Sequence, residues 1–108
     1  MVSINELNAL ALRVGKIIEV EDHEGARKPM YKLKVDLGEI GIRGIVAGLK
    51  SYYTKEELLN TLVIVVTALD PKSVAGAISE GMILAADDGP NVSIIRPDKD
   101  LAPGSIVR

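Results

Sequence analysis

Arg27, Lys28, Lys32 and Lys34 fall within the nine residues ARKPMYKLK, with no acid among them. Long cationic side chains at such spacing suit one kind of chemistry above others, which is holding a polyanion by neutralising successive phosphates and releasing their counterions. The chain as a whole points the other way, with thirteen Lys and Arg, fifteen Asp and Glu and a formal charge of -2. The charges are unevenly spread: residues 1–55 hold nine of the bases and seven of the acids, whereas residues 56–108 hold four bases and eight acids. A sequence average can therefore conceal a local basic site.

Other chemistries lack their residues. No cysteine is present, and the single histidine, His23, has no second His or Cys with which to share a metal, so it reads as a solvated loop residue. Glu56 and Glu57 are adjacent, point apart on a helix, and suit the positive end of a helix dipole better than acid–base catalysis. Neither G-x-G-x-x-G nor G-x-x-x-x-G-K-[ST] occurs. No catalytic residue, metal ligand or cofactor is expected. Three tyrosines, Tyr31, Tyr52 and Tyr53, lie in the basic half and could stack on bases. Tyr31, however, shares parity with core positions, and the other two are placed to staple the helix after them.

The elements that must position these side chains are short strands. Ser3 and Glu6 have capping-box spacing and predict a helix through about Leu10. LRVGKIIEVE is a strand whose apolar phase shifts at Ile17 and Ile18, which predicts a bend or bulge. EDHEGARKP is a loop. In MYKLKVDLG the apolar residues Tyr31, Leu33, Val35 and Leu37 alternate with Lys32, Lys34 and Asp36, so one face enters a core and the other carries charge. A third strand covers about Ile42 to Ala47, and Thr54 with Glu57 caps a short helix. LVIVVTAL is a strand buried on both faces, DPKSVAGAISEG a loop, and MILAA a fifth strand. VSII and SIVR are short extended pieces among turns.

The 108 residues, 47% of them hydrophobic, have no Phe or Trp and predict one domain with an aliphatic core. No run of about 18 apolar residues suits a membrane span, and the start lacks a signal-peptide pattern, which predicts a cytoplasmic protein. Residues 89–108 read as an extension that either covers a strand edge within the subunit or adds to a dimer contact.

Five strands with the interior helix between the third and fourth have the order of an all-β OB-fold, a five-stranded Greek-key barrel; an SH3-like barrel accommodates that helix less well. An OB-fold presents its ligand face on strands 2 and 3, flanked by the loops joining strands 1 to 2 and 4 to 5. Those parts carry Arg27 and Lys28, Lys32 and Lys34, Arg43, and Lys72. Arg13 and Lys16 extend the patch from strand 1, and Lys50 flanks it. Against this stands the plain alternative that lysines cover the polar side of an amphipathic strand.

LRVGKIIEVEDH, YKLKVDLG, IVAGLKSYYTKEEL and SEGMILAADD resemble, in order and spacing, the tRNA-binding domain that occurs as a small free-standing protein and as the C-terminal part of many methionyl-tRNA synthetases. The resemblance spans about residues 10–88. It implies an OB barrel, a homodimer, and tRNA held by shape, in association with an aminoacyl-tRNA synthetase. Ser79 and Met82, in Ser79-Glu80-Gly81-Met82, match family positions lining the RNA surface, and Arg13, Lys28 and Lys50 match its basic positions. Where tRNA-binding members read H-P-N-A-D-K-L-Y, this chain has nine residues from His23 to Tyr31 and lacks the Asn and Asp. That segment looks instead like the CsaA-type branch, dimeric export-associated proteins proposed to bind unfolded peptide.

Overall fold

A computed structural model describes residues 1–108. The sheet at its centre is built on β1 (Leu12–Asp22), which serves two partners in turn. Its first half pairs antiparallel with β4 (Leu62–Val66), from Leu12 opposite Val66 to Lys16 opposite Leu62. Its second half pairs with β2 (Tyr31–Asp36), from Lys16 opposite Asp36 to Asp22 opposite Tyr31. The register shifts between Ile17 and Glu19, so a bulge sits where the apolar phase changes. It buries Ile17 fully and turns Ile18 outward. Gly15 is needed just before it, because a Cβ there would lie 2.5 Å from Cγ1 of Val35.

β3 (Ile42–Ala47) pairs with β2, and the two-residue β7 (Met82–Ile83) pairs with β4, giving the order β3-β2-β1-β4-β7. This is the five-stranded OB-like barrel anticipated from the strand order. Its nearly closed seam lies between β3 and the segment from Ser79 to Met82. There the Glu80 amide donates to the Gly44 carbonyl (2.8 Å), and the Ser79 hydroxyl accepts from the Val46 amide (3.0 Å). The turn into β7 needs Gly81, which has φ +135° and would place a Cβ 2.9 Å from the Val66 carbonyl oxygen.

The core is aliphatic, with Ile17, Leu33, Val35, Leu37, Ile45 and Val65 at its centre. Burial alternates along β2 as expected, Tyr31, Leu33 and Val35 inside and Lys32 and Lys34 outside, and Val63 to Val66 of β4 are buried throughout. Helix α2 (Lys55–Leu58) starts at a Thr54–Glu57 capping box and inserts Leu58 fully into the core. Helix α1 (Ile4–Ala9) has the Ser3–Glu6 box but buries none of its residues.

Three expectations are corrected. The stretch expected as a loop from Asp70 to Gly81 contains a hairpin, β5 (Lys72–Val74) with β6 (Ala77–Ser79). Its turn residues Ala75 (φ +50°) and Gly76 (φ +88°) are both left-handed, the geometry whose twist matches paired strands. Second, MILAA is not one strand. After Met82–Ile83 the chain leaves the barrel sheet, and β8 (Ala85–Asp87) pairs with β9 (Val92–Ile94) in a separate ribbon. Third, His23 is buried rather than solvated. The chain's tail lies along its own β1: Val14 and Ser105, Gly104 and Val14, and Val107 and Leu12 are joined by backbone hydrogen bonds of 2.7–3.0 Å. It covers the edge that β2 does not reach, and Ile94 joins the core.

Candidate nucleic-acid interface

The alternation of β2 fixes where its lysines go, and the register of β1 fixes what they meet. Glu19 stands opposite Lys34 and Glu21 opposite Lys32 on the outer face. The carboxylates reach the ammonium groups at 3.2 Å for Glu19–Lys34 and 4.0 Å for Glu21–Lys32, so this face is a ladder of opposite charges. The hydrogen bond from Lys34, and secondarily one with Glu21, holds the Glu19 carboxyl below its ordinary value. A groove of about 200 Å³ runs beside the ladder, floored by Gly44 and Val46, which stand opposite Lys34 and Lys32 on β3, and walled across from the lysines by Ala77 and Ile78 of the hairpin.

Seven further cations divide into two groups, while half-buried Lys16 and exposed Arg96, Lys99 and Arg108 also stand in no ion pair, outside the groove. Four are engaged in place: Lys50 and Lys55 both reach the Asp22 carboxylate at 3.0 Å, and Arg13 and Arg43 donate from Nη1 to the carbonyls of Gly104 (3.0 Å) and Thr67 (2.6 Å). Hydrogen bonds from Lys55 first and Lys50 next lower the pKa of Asp22, and the same contact raises that of Lys55. Arg27, Lys28 and Lys72, in contrast, are exposed and have no carboxylate within ion-pair distance. They stand on the two loops that flank the groove, residues 23–30 and the hairpin.

Ser79 is buried, and its hydroxyl is committed to the seam, accepting from Val46 and donating to the Gly81 carbonyl (3.1 Å). Met82 is exposed at the rim of an apolar recess that includes Leu49, Ile83 and Val92. Tyr31 is buried and donates from its hydroxyl to the Tyr53 carbonyl (2.7 Å), while the Tyr53 hydroxyl accepts from the Ile94 amide (3.1 Å). Tyr52 alone of the three is largely exposed. The nine residues singled out from the sequence therefore separate: Lys32 and Lys34 line one groove, Arg27 and Lys28 stand on the loop joining β1 to β2, Arg43 and Ser79 bind the seam, Met82 lies beyond that seam, Lys50 is tied to Asp22, and Arg13 anchors the tail. The residues missed were the acidic partners Glu19 and Glu21, whose matching parity on a strand facing β2 was the available signal.

Residues 12–106 match the family model described as "Putative tRNA binding domain". The chain belongs to this family of tRNA-binding domains. Methionine–tRNA ligase of Pyrococcus horikoshii is 54% identical over 107 residues, covering 99% of the chain but 14% of the ligase. The chain thus spans about one seventh of the curated relatives it matches, and it corresponds to a binding domain rather than to a catalytic one. Among solved structures, the CsaA chaperone protein of Picrophilus torridus superposes with a TM-score of 0.93 at 38% identity over 100% of both chains. The MetRS related protein of Pyrococcus horikoshii gives 0.88 at 30% identity, covering 100% of this chain and 98% of that one. This tRNA-binding domain therefore stands close to both branches distinguished in its sequence.

Proposed function

We propose that this domain is a non-catalytic tRNA-binding module that recognises tRNA by shape and phosphate contacts and serves an aminoacyl-tRNA synthetase. The observation that carries the reading is the exposure of Arg27, Lys28 and Lys72, on the loop and hairpin next to one groove, with no carboxylate within ion-pair distance of any of them. Phosphates are held by long cations without regard to base sequence, and a groove between two cation-bearing loops selects the shape of the strand entering it. Lys32 and Lys34 add to the contact when a phosphate displaces their carboxylates, Met82 offers an apolar contact past the seam, and Ser79 supports that edge. The relatives that carry this domain within methionine–tRNA ligases favour a synthetase as the partner.

The working unit in this proposal is a homodimer, because α1 leaves Ile4, Leu7 and Leu10 substantially exposed and Ile106 of the tail is 68% exposed. A helix of six residues is marginal without tertiary cover. Sedimentation at several concentrations checks the dimer. Titration of total tRNA at several salt concentrations, repeated with Lys28→Glu and Lys32→Glu, tests the ligand. Binding is expected to weaken with a log–log slope of about 0.7–0.9 per phosphate engaged, and a slope near zero would remove the physical basis of the reading.

A second reading has its own observation. The groove floor is apolar, Ile78 on its wall is 58% exposed, and the ladder face is electrically balanced, all of which suit an extended uncharged peptide. In this reading the chain is a CsaA-type chaperone. Competition between tRNA and an unfolded, uncharged polypeptide at physiological salt separates the two.

A further inference from the structure

We infer that His23 is a positioning residue that locks the two groove-flanking loops together, so that Arg27 and Lys28 on one and Lys72 on the other meet a polyanion as one rigid unit. The function of the lock rests on the tRNA-binding reading; its existence does not.

His23 follows β1 directly, and its backbone closes the loop that bears Arg27 and Lys28. Its amide donates to the Met30 carbonyl (3.0 Å), and its carbonyl accepts from the Ala26 amide (3.2 Å). The ring leaves that loop altogether. Nε2 lies 2.8 Å from the carbonyl oxygen of Val74, fifty-one residues away in the hairpin, a contact the ring makes as donor with its proton on Nε2. Only 8% of His23 is exposed, so water competes poorly for that carbonyl. No other hydrogen bond joins loop 23–30 to the hairpin. The loops also touch: a Cβ on Gly25 would fall 3.3 Å from the Ala75 carbonyl oxygen and 3.4 Å from Cε1 of His23.

The hairpin is thus held at two points. At its base, Ser79 and Glu80 bind the β3 edge, and near its tip His23 binds Val74. Without the second, loop 23–30 is free to part from the turn, and Arg27 and Lys28 lose their fixed placement relative to Lys72, which stands opposite Ser79 at the anchored base. Fixing that loop against a phosphate then costs about as much as one contact returns, so a contact is forgone, whereas in the locked molecule the ordering is complete before the ligand arrives.

His23→Phe fills the ring's space without a donor, and His23→Gln restores a donor near the position of Nε2. Each is titrated with total tRNA between about 0.05 and 0.4 M salt, with thermal unfolding measured alongside. The lock predicts that His23→Phe loses about one phosphate contact. The log–log slope then becomes shallower by about 0.7–0.9, affinity at 0.1 M salt falls about sixfold, and His23→Gln recovers most of both. A variant that is merely less stable scales binding by its folded fraction and leaves the slope unchanged. Independently of any His23 variant, Lys28→Ala and Lys72→Ala should be non-additive in the wild-type background. Additive effects, or an unaltered slope in a folded His23→Phe protein, overturn the coupling. If the wild-type protein binds no tRNA, the functional reading fails and amide exchange at Ala75–Ala77 decides the lock alone. Faster exchange in His23→Phe supports it, and unchanged protection overturns it.

Discussion

Neutralising the acidic half of the charge ladder, by Glu19→Gln with Glu21→Gln, should make this domain bind tRNA more tightly. Glu19 and Glu21 hold Lys34 and Lys32 on the outer face of β1 and β2. A phosphate approaching that face must displace a carboxylate from each ammonium and then remain beside the displaced acid. With the acids made neutral, both lysines are open, and two further phosphate contacts become possible. Each adds about 0.7–0.9 to the log–log salt slope, so two add about 1.4–1.8. With the counterion-release contribution taken as zero at 1 M salt, one contact is worth about sixfold at 0.1 M and two about fortyfold, shrinking to about fourfold at 0.4 M. Filter binding with total tRNA across that range reads the gain and its decay together. Because both pairs are exposed and screened by solvent, the unfolding midpoint should barely move. A gain below twofold at 0.1 M, or one that does not shrink with salt, would mean that the RNA does not cross this face.

Four further outcomes are expected. Gly15→Val should destabilise the fold by about 1–3 kcal/mol in denaturant titration, since side-chain atoms must enter the space of Val35 Cγ1, 2.5 Å from the Cβ position. Ser79→Ala removes the acceptor of the Val46 amide and should cost about 1–3 kcal/mol by the same measurement; a loss of tRNA affinity without a loss of stability would instead make Ser79 a direct contact. Lys72→Glu should lower tRNA affinity and leave the unfolding midpoint near the wild-type value, as the side chain has no partner to lose. The ion pairs also predict a sign for pH. Glu19 and Asp22 have lowered pKa values in the folded state, so their stabilisation is present above their unfolded values of 4.5 and 3.8 and is lost as pH falls through the folded ones. Lys55 has a raised pKa, so its share is present below 10.5 and lost as pH climbs through the folded value. Because these groups are exposed and screened by solvent, unfolding midpoints measured across pH should change only slightly at each of these two boundaries, in the directions given.

The parts of the fold that were legible in the sequence are those set by local chemistry. Both capping boxes mark real helix starts, and the clash of phase at Ile17 and Ile18 marks the bulge. The alternation from Tyr31 to Leu37 identifies both faces of β2. The parts that were hidden depend on pairing. The hairpin from Lys72 to Ser79 turns at Ala75-Gly76, and alanine is not a residue from which a left-handed turn position is inferred. Its strands are too short for a period to be read. MILAA has the composition of a strand, yet no local feature announces that Leu84 divides it between two sheets. His23 looked like a loop residue because its loop is indeed irregular; what buries it is a hairpin fifty-one positions further along the chain. For the site, the basic ribbon was visible residue by residue, but its neutralisation was not. Glu19 and Glu21 face Lys34 and Lys32 only once residues 23–30 are taken as the connection of an antiparallel pair.

That neutralisation changes what the basic ribbon is. Counted along the chain it is one cluster of four cations, but in three dimensions it splits by what each side chain can give up. Lys32 and Lys34 must exchange a carboxylate for a phosphate, which nearly balances in water and gives little net attraction. Arg27 and Lys28 exchange only solvent, and so does Lys72 on the hairpin. Attraction is therefore concentrated on the two loops, while the face between them is balanced and the floor apolar. Such an arrangement draws a polyanion to the rims and lets an uncharged segment lie in between. How firmly the rims are held and how completely the ladder is paired are therefore the two features on which the tRNA-binding and peptide-binding readings proposed for this groove divide.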